Sequence, residues 1–112
     1  MDEFKSIKIR AVLELFRESY RNGKPVAPGQ GKYRAGHHFP WQDDRENYMG
    51  AVFFPENSEW LYPGSSAEVE IILVADSRLD AVLQPGYSWQ VKEGPYLVGS
   101  ATLIEVLSKV KH

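Results

Sequence analysis

The stretch YPGSSAEVEIILVA, residues 62–75, decides the fold class. Its Pro63-Gly64 pair presets a type II turn, because proline fixes φ at the second turn position and glycine accepts a positive φ at the third. After the turn, two glutamates alternate with three apolar side chains, Val69, Ile71 and Leu73. This period of two predicts a strand over residues 67–75 that buries one face.

Short segments of this kind recur along the chain, separated by turns rich in glycine and proline. The segment NGKPVAPGQG, residues 22–31, predicts a loop, and a second Pro-Gly pair at Pro85-Gly86 predicts another turn. Further strands are predicted at 32–39, 48–54, 88–92 and 96–107. Because no helical segment of ordinary length clearly separates them, the chain is predicted to be an all-β antiparallel sandwich or closed barrel.

Residues 6–16 fit two periods. Apolar side chains recur at every second position from Ile7 to Leu15, which is typical of a half-buried strand. A helical spacing also fits, through Ile9, Val12, Leu13, Phe16 and Tyr20. Periodicity alone does not separate the two.

Size and composition indicate one folded domain. The 112 residues are 43% hydrophobic and 25% charged, values typical of globular proteins, so we expect a single domain over 1–112 with a core at about 6–107. The chain has no cysteine, which excludes disulfides and Cys-based zinc sites. The net charge of −2 does not favour DNA binding. The N-terminus lacks an apolar leader and no segment is long enough to span a bilayer, so a soluble cytoplasmic protein without membrane association is expected.

Four motifs in one order resemble the third, C-terminal domain of bacterial elongation factor Tu. They are KYR at 32–34 with Phe39, YMGAVFFP at 48–55, YPGSSAEVEIIL at 62–73, and LQPGYSWQVKEGPYLVGSATLIEVL at 83–107. The resemblance covers about residues 7–107 and implies a six-stranded antiparallel closed barrel, with residues 6–16 as a strand. The matching motif positions are Tyr33, Arg34, Glu93, Gly94 and Gly99.

The GTPase part of that factor has no counterpart here. No G-x-x-x-x-G-K-[ST] phosphate loop occurs, so neither GTP hydrolysis nor nucleotide binding is expected. In the elongation factor, the region matching Tyr33-Arg34 contributes to contacts with the T-stem of aminoacyl-tRNA. The chain departs from the family pattern at Ala35-Gly36-His37, and at Pro95-Tyr96 the hairpin arginine of the family is absent.

One cluster of basic and aromatic residues suits RNA, since cations neutralise phosphates and aromatic rings stack on bases. Its basic members are Arg17, Arg21, Lys24, Lys32, Arg34 and His37, and Tyr20, Tyr33 and Trp41 are interleaved. The alternative is a solvated loop face whose aromatic residues fill the barrel ends. Both interpretations remain open.

The tryptophans divide into two kinds. Trp89 falls at an aromatic position of the family hairpin and is predicted to lie in the core. Trp60 follows the loop segment 56–59 and is either an exposed anchor for a protein partner or packed back on its own barrel.

The sequence offers no catalytic set. Asp43, Asp44 and Glu46 are predicted to lie in a polar turn, and solvated turn acids are seldom catalytic groups. His37 and His38 are adjacent on a predicted strand and point to opposite faces, so they are interpreted as a partly exposed pair and not as metal ligands.

These observations lead us to expect a non-enzymatic binding module without metal or cofactor. It is expected to be a protein-interaction or regulatory protein linked to translation, with an RNA-binding accessory domain as the alternative. The predicted contact residues are Arg17, Arg21, Lys32, Tyr33, Arg34, His37 and Trp60, and the partner is a protein or a structured RNA, not DNA, a nucleotide or a membrane.

Overall fold

The structure is a computed structural model that describes the backbone of residues 4–111 and the side chains of residues 6–110. Within that range, six strands form a closed barrel in the order β1-β4-β3-β2-β5-β6, and every neighbouring pair is antiparallel. The strands are β1 (Phe4–Leu15), β2 (Gln30–His38), β3 (Tyr48–Phe53), β4 (Ser66–Val74), β5 (Ser88–Glu93) and β6 (Tyr96–Lys111). The predicted six-stranded antiparallel closed barrel is confirmed.

The first strand resolves the ambiguity of residues 6–16. All five apolar side chains at its odd positions, from Ile7 to Leu15, are fully buried. Between them, Val12 and Glu14 are exposed. The period of two therefore determines the structure, because the barrel offers β1 a packed interior on one face and solvent on the other.

Both Pro-Gly turns form as predicted. Gly64 and Gly86 each have φ +90°, a conformation that L-residues rarely adopt. The N–H of Ser65 donates to the carbonyl of Tyr62 at 3.0 Å, which closes the first turn. These turns fix where β4 and β5 begin.

One element was not predicted, the six-residue helix α1 (Ser77–Val82). Asp76 is its N-cap and accepts hydrogen bonds from the backbone N–H groups of Arg78 and Leu79. Leu79 is fully buried and closes the barrel interior at that end. A helix of this length shows fewer than two turns of periodicity, which is too little to recognise in a sequence. No helix among residues 4–111 is long and apolar enough to cross a membrane.

The antiparallel connections place the loops at two ends. We call one the loop end; it carries segments 16–29 and 54–65 and the hairpin turn at 94–95. The other, the helix end, carries segments 39–47 and 75–87, which include α1. Residues far apart in sequence therefore meet at the loop end.

Candidate binding site

A carboxylate at the loop end ties three segments together. Glu93, the last residue of β5, accepts hydrogen bonds from the hydroxyl groups of Tyr20 and Tyr33 and from the guanidinium group of Arg21. Arg21 also donates to the backbone carbonyls of Lys24 at 2.9 Å and Pro25 at 2.8 Å. The network fastens loop 16–29 to β2 and to the β5–β6 hairpin.

The Glu93 network holds its charges inside the fold. The side chains of Arg21 and Glu93 are only 12% and 15% exposed. Burial by itself raises the pKa of Glu93, but the hydrogen bonds from Tyr20 and Tyr33 and the charge of Arg21 outweigh it, so the pKa lies below its usual value. Burial, followed by the hydrogen bond to Glu93, raises the pKa of Tyr33. Arg21 and Tyr33, both predicted as contact residues, therefore lie in a structural network.

Replacing the Glu93 carboxylate tests this network. We expect Glu93→Gln to lower the free energy of unfolding by about 2 kcal/mol, because Arg21 is left nearly buried without a counter-ion. Urea unfolding at pH 7 measures the change. The matched control is Glu105→Gln, whose partner Arg10 is much more exposed, and its expected cost is about 0.5 kcal/mol or less. Equal costs for the two variants would show that the Glu93 network does not anchor the loop.

Four aromatic side chains at the loop end are each between 52% and 56% exposed: Tyr20, Trp60, Tyr62 and Tyr96. The rings of Tyr20 and Tyr96 stack with their centroids 4.4 Å apart. Trp60 and Tyr62 flank the buried Leu61, whose backbone pairs with Val26. Of the two interpretations of Trp60, the structure supports the exposed one.

Most of the predicted cations form no ion pair among the described side chains. The guanidinium group of Arg17 lies beside the turn at Gly64, and Lys32 and Arg34 are exposed on β2. Among the described side chains, no carboxylate lies within 4.0 Å of the cationic groups of Arg17, Lys24, Lys32 or Arg34. Five of the described Lys and Arg side chains do form ion pairs: Lys8, Arg10, Arg21, Arg78 and Lys109. Their partners are acids on the barrel wall, in the Glu93 network, or in and near α1.

The prediction for His37 is wrong. Its side chain is fully buried inside the barrel, where the indole Nε1–H of Trp89 donates to its Nδ1 at 2.9 Å. Burial lowers the pKa of His37 to about 4, so the ring is neutral at pH 7. His37 is neither part of an exposed pair nor available to a partner. Trp89, only 2% exposed, lies in the core as predicted.

The helix end carries a second aromatic group, but it is packed internally. Phe39 stacks on Trp89 with centroids 4.8 Å apart, and it also contacts Trp41, Tyr48 and Tyr87. Trp41, predicted in the RNA cluster, lies at this end, with the guanidinium carbon of an arginine in α1 5.3 Å from its ring centroid. The structure therefore separates Trp41 from the cations of the loop end.

Sequence reasoning missed Tyr62, Tyr96 and the central role of Glu93. Trp60 and Tyr62 lie two residues apart around an apolar Leu61, a spacing that indicates a shared outer face. The contacts of Glu93 span 60 to 73 residues along the chain and leave no local signal.

The chain offers no conventional metal cluster in its described part. Residues 6–110 contain no group of three or more His, Asp or Glu side chains placed to hold a metal ion. No model of a known protein family and no curated protein sequence matches the chain.

Proposed function

We propose that this protein is a non-enzymatic binding module that captures a protein partner through the loop end of its barrel. The observation that carries the proposal is the set of four half-exposed aromatic side chains at that end. Exposed tyrosine and tryptophan supply large contact areas at a small entropic cost, and such residues dominate the energetics of protein interfaces.

The surroundings of these aromatic residues favour recognition. The Glu93 network and the pairing of Leu61 with Val26 hold the loops in one conformation before a partner binds. A preorganised surface loses less entropy on binding, which increases affinity without added contact area. The available cations around it, including Arg17 and Lys32, form a polar rim of the kind that protein interfaces carry.

We further propose that the module shares descent with the third domain of elongation factor Tu and acts in the cytoplasm, linked to translation. The closed six-stranded barrel and the two Pro-Gly turns are in keeping with the four ordered motifs. Tyr33 and Glu93, two of the motif positions, contact each other directly. Since a shared fold does not establish a shared function, the proposal for the partner depends on the loop end alone.

The experiment that tests the proposal is a pull-down from cell lysate with a matched pair of variants. We expect the double variant Trp60→Ala/Tyr62→Ala to recover at least tenfold less of the partner protein than wild type does, because the aromatic contact area is removed. Met49→Ala is the control, because Met49 is similarly exposed, at 51%, but lies near the start of β3 at the helix end of the barrel. Equal capture by both variants would exclude the loop end as the binding surface.

A second candidate, RNA binding, is favoured by the cations that form no ion pair at the loop end and on β2, namely Arg17, Lys24, Lys32 and Arg34. If RNA is the partner, tRNA binding should weaken steeply between 50 and 200 mM salt, because bound cations release counter-ions from the phosphates. Arg34→Ala should then reduce the salt slope by about one unit. A protein partner predicts only a modest salt dependence.

A further inference from the structure

Strand β4 is paired along its whole length on one side but along less than half of its length on the other. Its pairing with β1 covers Ser66 to Val74, whereas β3 reaches only the segment 70–73. A groove of about 630 Å³ lies beside the remaining part, lined by Phe53, Pro55 and Ile72 among others. Glu68 and Val69 thus border open space where the barrel otherwise has a neighbouring strand.

The backbone of Glu68 faces this groove. The N–H of Leu15 donates to the carbonyl of Ser65 at 3.0 Å, so the odd-numbered residues of β4 direct their backbone groups toward β1. Because the direction alternates along a strand, the even-numbered residues, including Glu68, direct theirs to the other side.

Pro55 explains why β3 stops short of Glu68. Phe53 faces Glu70, and continuing this register places Pro55 opposite Glu68 at a hydrogen-bonding position. Proline has no N–H to donate, and the carbonyl of Pro55 accepts from the N–H of Ser58 at 3.0 Å within its own turn. Among residues 4–111, no strand therefore pairs with the groove side of Glu68.

The rim of the groove carries more negative than positive charge. Three glutamates line it, Glu56, Glu68 and Glu70, against two cations, Lys8 and Arg10. Lys8 pairs with Glu70 at 3.3 Å, and Arg10 is shared among three carboxylates. The Glu68 side chain remains 63% exposed despite that contact. The groove therefore carries a net negative charge.

We propose that this groove binds one extended segment of a partner protein, with basic and apolar residues in alternation, as an added strand along the free edge at Glu68. Main-chain hydrogen bonds would supply affinity, and the glutamates on the outer face would select basic side chains. Because alternate side chains of a strand point to opposite faces, the apolar ones would turn inward and contact Phe54 and Val69, which also line the groove. A second copy of the chain is a poor occupant, because β4 against β4 would bring Glu68 and Glu70 of both copies together. This inference goes beyond the proposed function. The groove borders the loop end through Pro55 and Glu56, but it does not include the exposed aromatic side chains on which the proposed function depends.

A labelled peptide of alternating Lys and Val, seven residues long, tests the inference by fluorescence anisotropy against the full chain. We expect this Lys peptide to bind. Two control peptides should bind at least tenfold more weakly: one with Glu in place of Lys, and one with a central Pro, which lacks the N–H needed for pairing on the edge. The variant Glu56→Lys/Glu68→Lys should also bind the Lys peptide at least tenfold more weakly. The control Asp43→Lys/Asp44→Lys changes the charge equally at two exposed positions of the helix end, at the opposite end of the barrel, and should bind as wild type does.

The inference is overturned if no peptide binds, if the Glu or Pro peptide binds as well as the Lys peptide, or if the two charge-reversal variants behave alike. The variant Trp60→Ala/Tyr62→Ala separates this inference from the proposed function. It should bind the Lys peptide as wild type does. Loss of peptide binding in that variant would assign the peptide to the exposed aromatic side chains and not to the groove.

Discussion

Gly99→Ala is expected to be the most damaging single-methyl change in the barrel, lowering the free energy of unfolding by about 3 kcal/mol or more. A Cβ atom at position 99 would lie 2.1 Å from the carbonyl oxygen of Glu14 and 3.4 Å from the Cα of Leu15. Both contacts are to the backbone of β1, which pairs with Gly99 across the β1–β6 ladder. Relief therefore requires β1 and β6 to move apart, and urea unfolding at pH 7 measures the cost.

Gly86→Ala is the matched control for the Gly99 prediction. Gly86 has φ +90° but no heavy atom within 4 Å of an added Cβ, so only backbone strain of about 1 kcal/mol is expected. The larger cost at position 99, where φ is not positive, would identify close strand approach as its cause. Equal costs for the two variants would contradict that account.

The buried His37 is expected to make the fold sensitive to mild acid. The folded-state pKa of about 4 lies below the ordinary value of 6.5, so the unfolded chain binds more protons between these two pH values. Stability is therefore fully present above pH 6.5 and falls as the pH drops toward 4. For a shift of this size the total loss attributable to His37 is about 3 kcal/mol, and urea unfolding between pH 7 and pH 4 measures it.

The double variant His37→Leu/Trp89→Phe isolates this effect. It removes both partners of the buried hydrogen bond, which costs less stability than leaving one partner unpaired. Between pH 6.5 and pH 4, unfolding of this variant should take up about one proton fewer than unfolding of wild type, so its stability should depend less on pH. His38→Gln, a change at the neighbouring half-buried position, should retain the full dependence. The same acid sensitivity in the double variant and in wild type would show that His37 is not responsible.

The strands were predictable because the barrel wall has one buried and one solvated face. In β4 the alternation of Glu68 and Glu70 with Val69 and Ile71 predicted both the strand and its inward face. Helix α1 was not predictable in the same way. The N-cap of α1, Asp76, is a residue type that is also common in loops. The burial of the apolar side chain of α1, that of Leu79, depends on the barrel end against which the helix packs.

The site was only partly predictable from the sequence. The alternation of β2 contained the information on His37, since Ala35 and Phe39, two residues away on either side, are also buried. The role of Arg21 was not accessible, because its compensating carboxylate, Glu93, lies 72 residues further along the chain. The free edge at Glu68 needed the register of β3 against β4, which no local pattern contains.

Photo-crosslinking in living cells tests the central claim, that the loop end is the binding surface, most directly. One variant carries a benzophenone amino acid in place of Glu59, beside Trp60, so that Trp60 itself is retained. A second variant carries it in place of Asp44, at the helix end near Trp41. Both positions are exposed. The account predicts a discrete adduct from position 59 that is lost in the Trp60→Ala/Tyr62→Ala background, and no such adduct from position 44. An adduct from position 44 alone would contradict it and move recognition to the opposite end of the barrel.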